Sequence, residues 1–323
     1  MNENETSEFN YLINKISNAP FLDQPFRHIE IQDFLSPSHF EKIVTSPEIR
    51  LEESHSSKEL LESLKESGYT SIKFPGTTTC AKSYLAWEAG QGDYDNVDTC
   101  EGFGMVFRLQ HAKTSIITRL NEFLASPLFL TALTEKFDIE RRAVFHDVGI
   151  QKYLDGYEIS PHPDIRKKAL TFMVNINTAS DSHLKNYHTR YMKFIDSRNY
   201  VGEFWRHNEK FDRSWVPWNW CEEVKQQKQN NSIVIFRPNY DTIHAVKADY
   251  DHLLSQRTQL YGNLWYGDRK SSDVRDSEIV SLPQIPWQGL DIDERRGVNQ
   301  KRTTARKPYS LKRRITNLIN KLK

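Results

Sequence analysis

Four residues taken in order, His162, Asp164, His244 and Arg257, each lie on or beside a segment with the character of a β-strand, and this set limits what the chain can fold into. Two imidazoles and one carboxylate can cover one face of an octahedral metal ion and leave three positions open. An arginine further along can anchor the far carboxylate of a bound oxo-acid. A bare His-x-Asp is a weak signal, since a chain of 323 residues with 11 histidines should contain on the order of one by chance. The flanking pattern is what adds specificity.

Upstream, GIQKYLDGYEISPHPD places Gly149, Tyr153, Gly156 and Tyr157 in two short strands separated by a turn and ending at His162. Downstream, Ala169 to Asn177 (ALTFMVNIN) alternates and is rich in apolar residues, as a buried strand should be. Asn231 to Val246 gives a strand, a Pro-Asn turn and a second strand carrying His244. Gln256 to Tyr266 supplies a last strand with Arg257 at its start. The two metal-ligand segments are thus strand ends that a barrel can bring together.

From about Gly149 to Tyr266 the chain resembles the 2-oxoglutarate and Fe(II)-dependent dioxygenases, in particular their prolyl-4-hydroxylase-like branch. The stretch Pro25 to Ile43 is similar to the strand and helix that often open such domains. The resemblance implies a mostly β fold with peripheral helices, a double-stranded β-helix or cupin-like jelly roll. It implies His162, Asp164 and His244 as iron ligands and Arg257 as the grip on the distal carboxylate of 2-oxoglutarate, where a planar guanidinium donates two parallel hydrogen bonds. The 13-residue step from His244 to Arg257 is longer than is commonest in the family, so DYDHLLSQ must loop out. Asn175 stands where many hydroxylases carry a tyrosine that shares the distal carboxylate, and its amide can donate the same bond. Tyr153 is placed either against the cosubstrate or in core packing. The implied cofactors are Fe(II), 2-oxoglutarate and O2, with ascorbate as a reductant. The implied outcome is hydroxylation with release of succinate and CO2, because the carboxylate ligand leaves no room for a halide.

Composition agrees with a globular enzyme. Apolar residues make up 37% and aromatics 12%, and no stretch approaches the roughly 18 apolar residues of a membrane span. Cys80, Cys100 and Cys221 are an odd number without metal-site spacing, which suits reduced thiols and a cytoplasmic location. The net charge of +1 conceals an asymmetry: Arg295 to Lys323 holds 11 Lys or Arg and no acid, while the preceding 294 residues hold 33 basic against 43 acidic side chains. The expected division is therefore a catalytic domain over 1–294, its metal-binding core at about 147–266, and a basic linker and amphipathic tail over 295–323. Leu311, Ile315, Leu318, Ile319 and Leu322 fall at helical spacing in that tail, which can meet an anionic membrane, a nucleic acid or the acidic body.

Elsewhere the pattern predicts helices over Ser7–Ser17, Ser38–Thr45 (capped by Ser36 or Ser38), Ser57–Glu66, Thr114–Leu124 and Pro127–Lys136, a strand over His28–Phe34, and strand and loop over Gly68–Asp98. The segment from Arg50 to Phe107 matches nothing in the family. Between the two ligand strands, Tyr187–Ile195 predicts another barrel strand. The rest of that insertion holds Trp205, Trp215, Trp218 and Trp220 with Arg190, Arg198, Arg206 and Arg213, and is either a lid or an insertion anchored by its aromatics. His183, His188 and His207 are expected to be ordinary surface or hydrogen-bonding residues. Peptide, carbohydrate and other small-molecule substrates all stay open. So do two other classes of function, a non-catalytic jelly-roll binding protein and an interaction protein acting through its tail.

Overall fold

The computed structural model describes residues 8–73, 77–91, 102–140 and 144–267. The first part of the chain contributes α1 (Tyr11–Asn18), β1 (His28–Ile31), α2 (Pro37–Val44), α3 (Ser57–Glu66), β2 (Tyr69–Ile72), α4 (Ala81–Glu88), β3 (Val106–Leu109), α5 (Ser115–Leu124) and α6 (Pro127–Lys136). Then follow β4 (Val144–Tyr153), β5 (Glu158–His162), β6 (Lys168–Asn175), β7 (Arg190–Phe194), α7 (Asn199–His207), β8 (Cys221–Gln226), β9 (Ile233–Phe236), β10 (His244–Lys247) and β11 (Arg257–Tyr266). The chain divides into two compact units, one of residues 1–84 with 94–270 and one of 85–93 with 271–323. Of the second, only the end of α4 and the three residues after it are among the described residues. The basic tail from Arg295 and its helical leucine pattern lie outside them, as does Cys100.

From β4 to β11 the chain passes between two antiparallel sheets, a larger one ordered β1-β9-β6-β11-β4-β3-β2 and a smaller one ordered β5-β10-β7-β8. Eight strands so shared, four to a sheet, make a double-stranded β-helix, a mostly β fold with helices at its periphery. The first three strands only widen the larger sheet. Side-chain alternation explains why the central strands are so apolar. Leu170, Phe172 and Val174 of β6, Ile233 and Ile235 of β9, and Leu260 and Leu264 of β11 point to one face, where α1, α2, α5 and α6 cover them. The alternate residues Met173, Val234, Phe236 and Tyr261 point into the barrel and pack with Phe26 and Tyr191. That parity also sends Thr171, Asn175, Arg257, Gln259 and Asn263 inward. β11 and β6 approach closely at Gly262, where a Cβ would lie 2.1 Å from the ring of its register partner Phe172.

Helix starts follow local chemistry. Ser36, Ser56 and Ser126 accept the backbone N–H of His39, Glu59 and Phe129, and proline opens both α2 and α6. Ser38, the other cap candidate, lies inside α2. Two regions differ from expectation: residues 81–88 are helical where strand and loop were predicted, and the tryptophan-rich insertion contains α7 and β8. Trp205 and Trp220 are buried and tie this insertion to the fold, while Phe204 and Phe211 stay exposed. Among the described residues no single helix is long and apolar enough to cross a membrane.

Lys152 on β4 is fully buried, donating to the carbonyl of Ile49 and to Thr258 Oγ1. Burial pushes its ammonium down from 10.5 to about 7. Between those values the unfolded chain holds a proton that the folded chain has released, so this group makes stability rise with pH from about 7 to 10.5. Urea unfolding at pH 7 and pH 10 should show that rise in the wild type and lose most of it in Lys152→Met. An unchanged pH slope would contradict the assignment.

Candidate metal centre

β5 and β10 pair antiparallel with His244 opposite His162, so the last residue of one strand meets the first of the other and the two ring centroids lie 4.4 Å apart. Asp164 follows two residues after His162 and brings Oδ2 to 4.0 Å from His244 Nε2. The three side chains offer ligand atoms all within 4.8 Å of one another, and no other such cluster of three occurs among the described residues.

The tautomers are set by the backbone. His162 Nδ1 lies 2.8 Å from the carbonyl oxygen of Ser160, and His244 Nδ1 lies 2.9 Å from that of Thr242. A carbonyl can only accept, so each Nδ1 carries the hydrogen and each Nε2 keeps a lone pair for a metal. Burial, and after it the neighbouring His244, pushes His162 down to about 3, and burial also lowers His244. Both rings are therefore neutral near pH 7. Burial works against the charge of Asp164, but the ammonium of Lys168 and the two imidazoles outweigh it and hold the carboxyl well below its usual range. Lys168 Nζ donates to Asp164 Oδ1 at 2.6 Å and to the Tyr261 hydroxyl at 2.9 Å, while Thr171 Oγ1 donates to Asp164 Oδ2 at 2.6 Å. Two neutral Nε2 donors and one oriented, ionised carboxylate suit a divalent transition ion.

Arg257 opens β11 and is 2% exposed. Its Nη2 donates to Thr189 Oγ1 at 3.0 Å, and its guanidinium lies 4.3 Å from the centre of the Tyr153 ring. The other terminal nitrogen, Nη1, is buried without a hydrogen-bond partner, and no described carboxylate forms an ion pair with this residue. Leaving a buried cation so uncompensated costs several kcal/mol, on the order of the penalty for a broken buried pair. Thr189, which holds the guanidinium, lies two residues before Tyr191, the register partner of His244, a backbone step of about 7 Å. The long step between His244 and Arg257 is absorbed by a structured loop. In it Tyr250 uses its hydroxyl to donate to the Tyr153 carbonyl and to accept the Arg257 backbone N–H.

The other two sequence candidates have different work. Asn175 faces inward, but its amide donates to the carbonyls of Gln227 and Gln229 and its oxygen accepts from Gln259. Both amide hydrogens of Asn175 are used on the β8–β9 connection in this structure, where the sequence expectation has it donating to the cosubstrate. Tyr153 gives its hydroxyl proton to Gln151 at 2.6 Å and presents its ring to Arg257, so it is a platform for the guanidinium and not a donor to a ligand. His188, expected to be ordinary, is 4% exposed, with Nε2 unpartnered. Burial, and then the charge of Arg257, lowers it to about 4. Thr171, Thr189 and Tyr250 were missed; only the inward parity of Thr171 on β6 was available as a signal.

No family model matches the chain, and no curated protein matches it. Solved structures similar to it include a Pseudomonas putida prolyl-4-hydroxylase (10% identity, 80% of this chain and 98% of that chain, TM-score 0.40). Another is a Trichoplax adhaerens prolyl hydroxylase in complex with a hypoxia inducible factor peptide (12%, 81% and 90%, TM-score 0.37). A third is HygX from Streptomyces hygroscopicus, bound to nickel, 2-oxoglutarate and hygromycin B (10%, 66% and 88%, TM-score 0.29).

Anaerobic calorimetry with Fe(II) tests the centre. His162→Ala, Asp164→Ala and His244→Ala should each abolish binding, whereas Thr171→Val, which removes only a bond that orients Asp164, should weaken it about 10- to 100-fold. Near-native affinity in His244→Ala would remove that residue from the ligand set.

Proposed function

We propose that the chain is a 2-oxoglutarate- and Fe(II)-dependent oxygenase that hydroxylates its substrate. The observation that carries this reading is the pairing of a three-donor cluster with a buried Arg257 whose Nη1 has no hydrogen-bond partner and whose Nη2 is held by Thr189, two residues before the register partner of His244. A metal site alone fits many functions. A metal site facing an uncompensated guanidinium fits a small dianion that binds the metal at one end and the arginine at the other, as an oxo-diacid does.

In this reading His162 and His244 hold the metal through Nε2 and Asp164 holds it through a carboxylate oxygen. Bound Fe(II), with 2-oxoglutarate and O2, supplies the oxidation and releases succinate and CO2. The protein's own part is placement and dryness. Arg257, fixed by Thr189 and the Tyr153 ring, receives the distal carboxylate through Nη1, and His188, which feels the charge of Arg257, has an unpartnered Nε2 that can add a second contact. Phe26, Met173, Tyr191, Val234, Phe236 and Tyr261 make an apolar wall that keeps water from the centre. Lys168 and Thr171 keep Asp164 ionised and aimed.

Succinate formation from 2-oxoglutarate under air with Fe(II) tests the proposal. Wild type should release succinate, and Arg257→Gln should weaken 2-oxoglutarate binding by roughly 2 to 5 kcal/mol while still binding iron. Unchanged 2-oxoglutarate affinity in Arg257→Gln would show that another cation holds the carboxylate. Absence of succinate from an iron-loaded wild type would favour a binding protein that kept the pocket without turnover.

A further inference from the structure

One polar atom interrupts the apolar wall of the barrel. His28 opens β1 opposite Phe236 in register, Phe236 stands opposite Thr171, and Thr171 opposite Asn263, so the four form one inward-facing row across β1, β9, β6 and β11. Thr171 holds Asp164 Oδ2, which sets this row at the level of the metal cluster, with His28 two strands, about 10 Å of backbone, from Thr171. Side chains link it more closely. The Phe236 ring lies 5.1 Å from the His244 ring and 5.3 Å from that of Phe26, while His28 lies 5.6 Å from Phe26 and stacks on Tyr191 at 6.2 Å. Tyr191 is itself the register partner of His244.

His28 is 1% exposed. Its Nδ1 lies 2.8 Å from the Phe26 carbonyl oxygen and so carries the hydrogen, which leaves Nε2 as an acceptor. Nε2 is buried with no hydrogen-bond partner among the described residues. Burial lowers the imidazole from its ordinary value and outweighs the Phe26 bond and Asp23, which raise it, while the charge of Lys225 adds to the lowering. The ring is therefore neutral near pH 7. An enclosed acceptor with nothing to accept is costly, and its place beside the cluster points to a donor that arrives with a bound molecule.

The surroundings select the donor. An oxyanion would meet the Nε2 lone pair, and an ammonium would meet the charge of Lys225, whose Nζ donates to Glu30 Oε2. An amide would bring a carbonyl that needs a donor of its own, and the Tyr191 hydroxyl is already given to Gln227. A neutral hydroxyl carries none of these penalties. A cleft of about 540 Å³ begins beside the row: Arg27 precedes His28, Arg237 follows Phe236, and both line it together with Lys168, which holds Asp164 Oδ1. Its volume is that of a small-molecule site, and a molecule lodged there adjoins both the cluster and the chain neighbours of His28.

We propose that His28 is a specificity-determining residue, whose Nε2 accepts a hydrogen bond from a hydroxyl group of a neutral small-molecule substrate held among Phe26, Tyr191 and Phe236 beside the metal centre. The word substrate rests on the oxygenase reading; the hydroxyl site does not.

The test is calorimetry on the full chain, loaded anaerobically with Fe(II) and 2-oxoglutarate, with phenol and anisole as probes that share a ring and differ in whether the oxygen can donate. Phenol should bind at least about tenfold more tightly than anisole. His28→Asn keeps an N–H for the Phe26 carbonyl and removes Nε2, and His28→Phe keeps a ring and removes both nitrogens. Each should bring the ratio close to one, and His28→Gln, with an amide oxygen that reaches as far as Nε2, should restore part of it. A thermal midpoint near wild type shows which variants are folded, and the wild-type ratio stands without them. No phenol binding, equal binding of anisole by the wild type (the result if a trapped water satisfies Nε2), or an unchanged ratio in a folded His28→Asn or His28→Phe would each overturn the proposal. Succinate formation by the unaltered chain is scored separately. Phenol selectivity without succinate rejects the oxygenase reading alone, and succinate without phenol selectivity rejects the role of His28 alone.

Discussion

The antiparallel register between β5 and β10 is the constraint on which the site depends. Pairing His244 with His162 at the shared end of two short strands brings together residues far apart in the chain. A slip of one residue would turn each side chain to the opposite face. The register is held from both sides: β10 also pairs with β7, and β5 is tied by the Pro161 carbonyl accepting the Val216 N–H from the insertion. The apolar inner wall then fixes which face is inside, and with it the direction of the ligands.

Burying so many polar groups demands partners for them. Asp164, Thr171, Asn175, Gln227 and Gln259 are each buried and each bonded, which makes the barrel interior a specified network. Arg257 Nη1 and His188 Nε2 are among the buried side-chain atoms that lack a hydrogen-bond partner, and the charge of Arg257 reaches His188.

Much of this could be read from the residues. The strands bearing His162, His244 and Arg257 carry a period-two pattern, and their order with Asp164 is a chemical constraint that local sequence displays directly. The helices α2, α3 and α6 were visible because serine caps and proline starts are local signals. The short edge strand β8 and the helices α4 and α7 were not, since their pattern is weak and tertiary packing decides them. For Asn175, sequence position shows that the amide points inward but not that two carbonyls from the β8–β9 connection take its hydrogens. Thr189 and Tyr250 could not be found from sequence, because their roles come from a loop and a strand meeting around Arg257.

The central claim is that one small dianion bridges the His162–Asp164–His244 cluster and Arg257. A crystal structure of the protein grown anaerobically with Fe(II) and 2-oxoglutarate, with the metal located by its anomalous scattering, tests it most directly. The account predicts a single strong peak within bonding distance of His162 Nε2, His244 Nε2 and one Asp164 oxygen, with the distal carboxylate of 2-oxoglutarate hydrogen-bonded to Arg257 Nη1. A metal bound elsewhere, or a cosubstrate whose distal carboxylate lies away from Arg257, would contradict it.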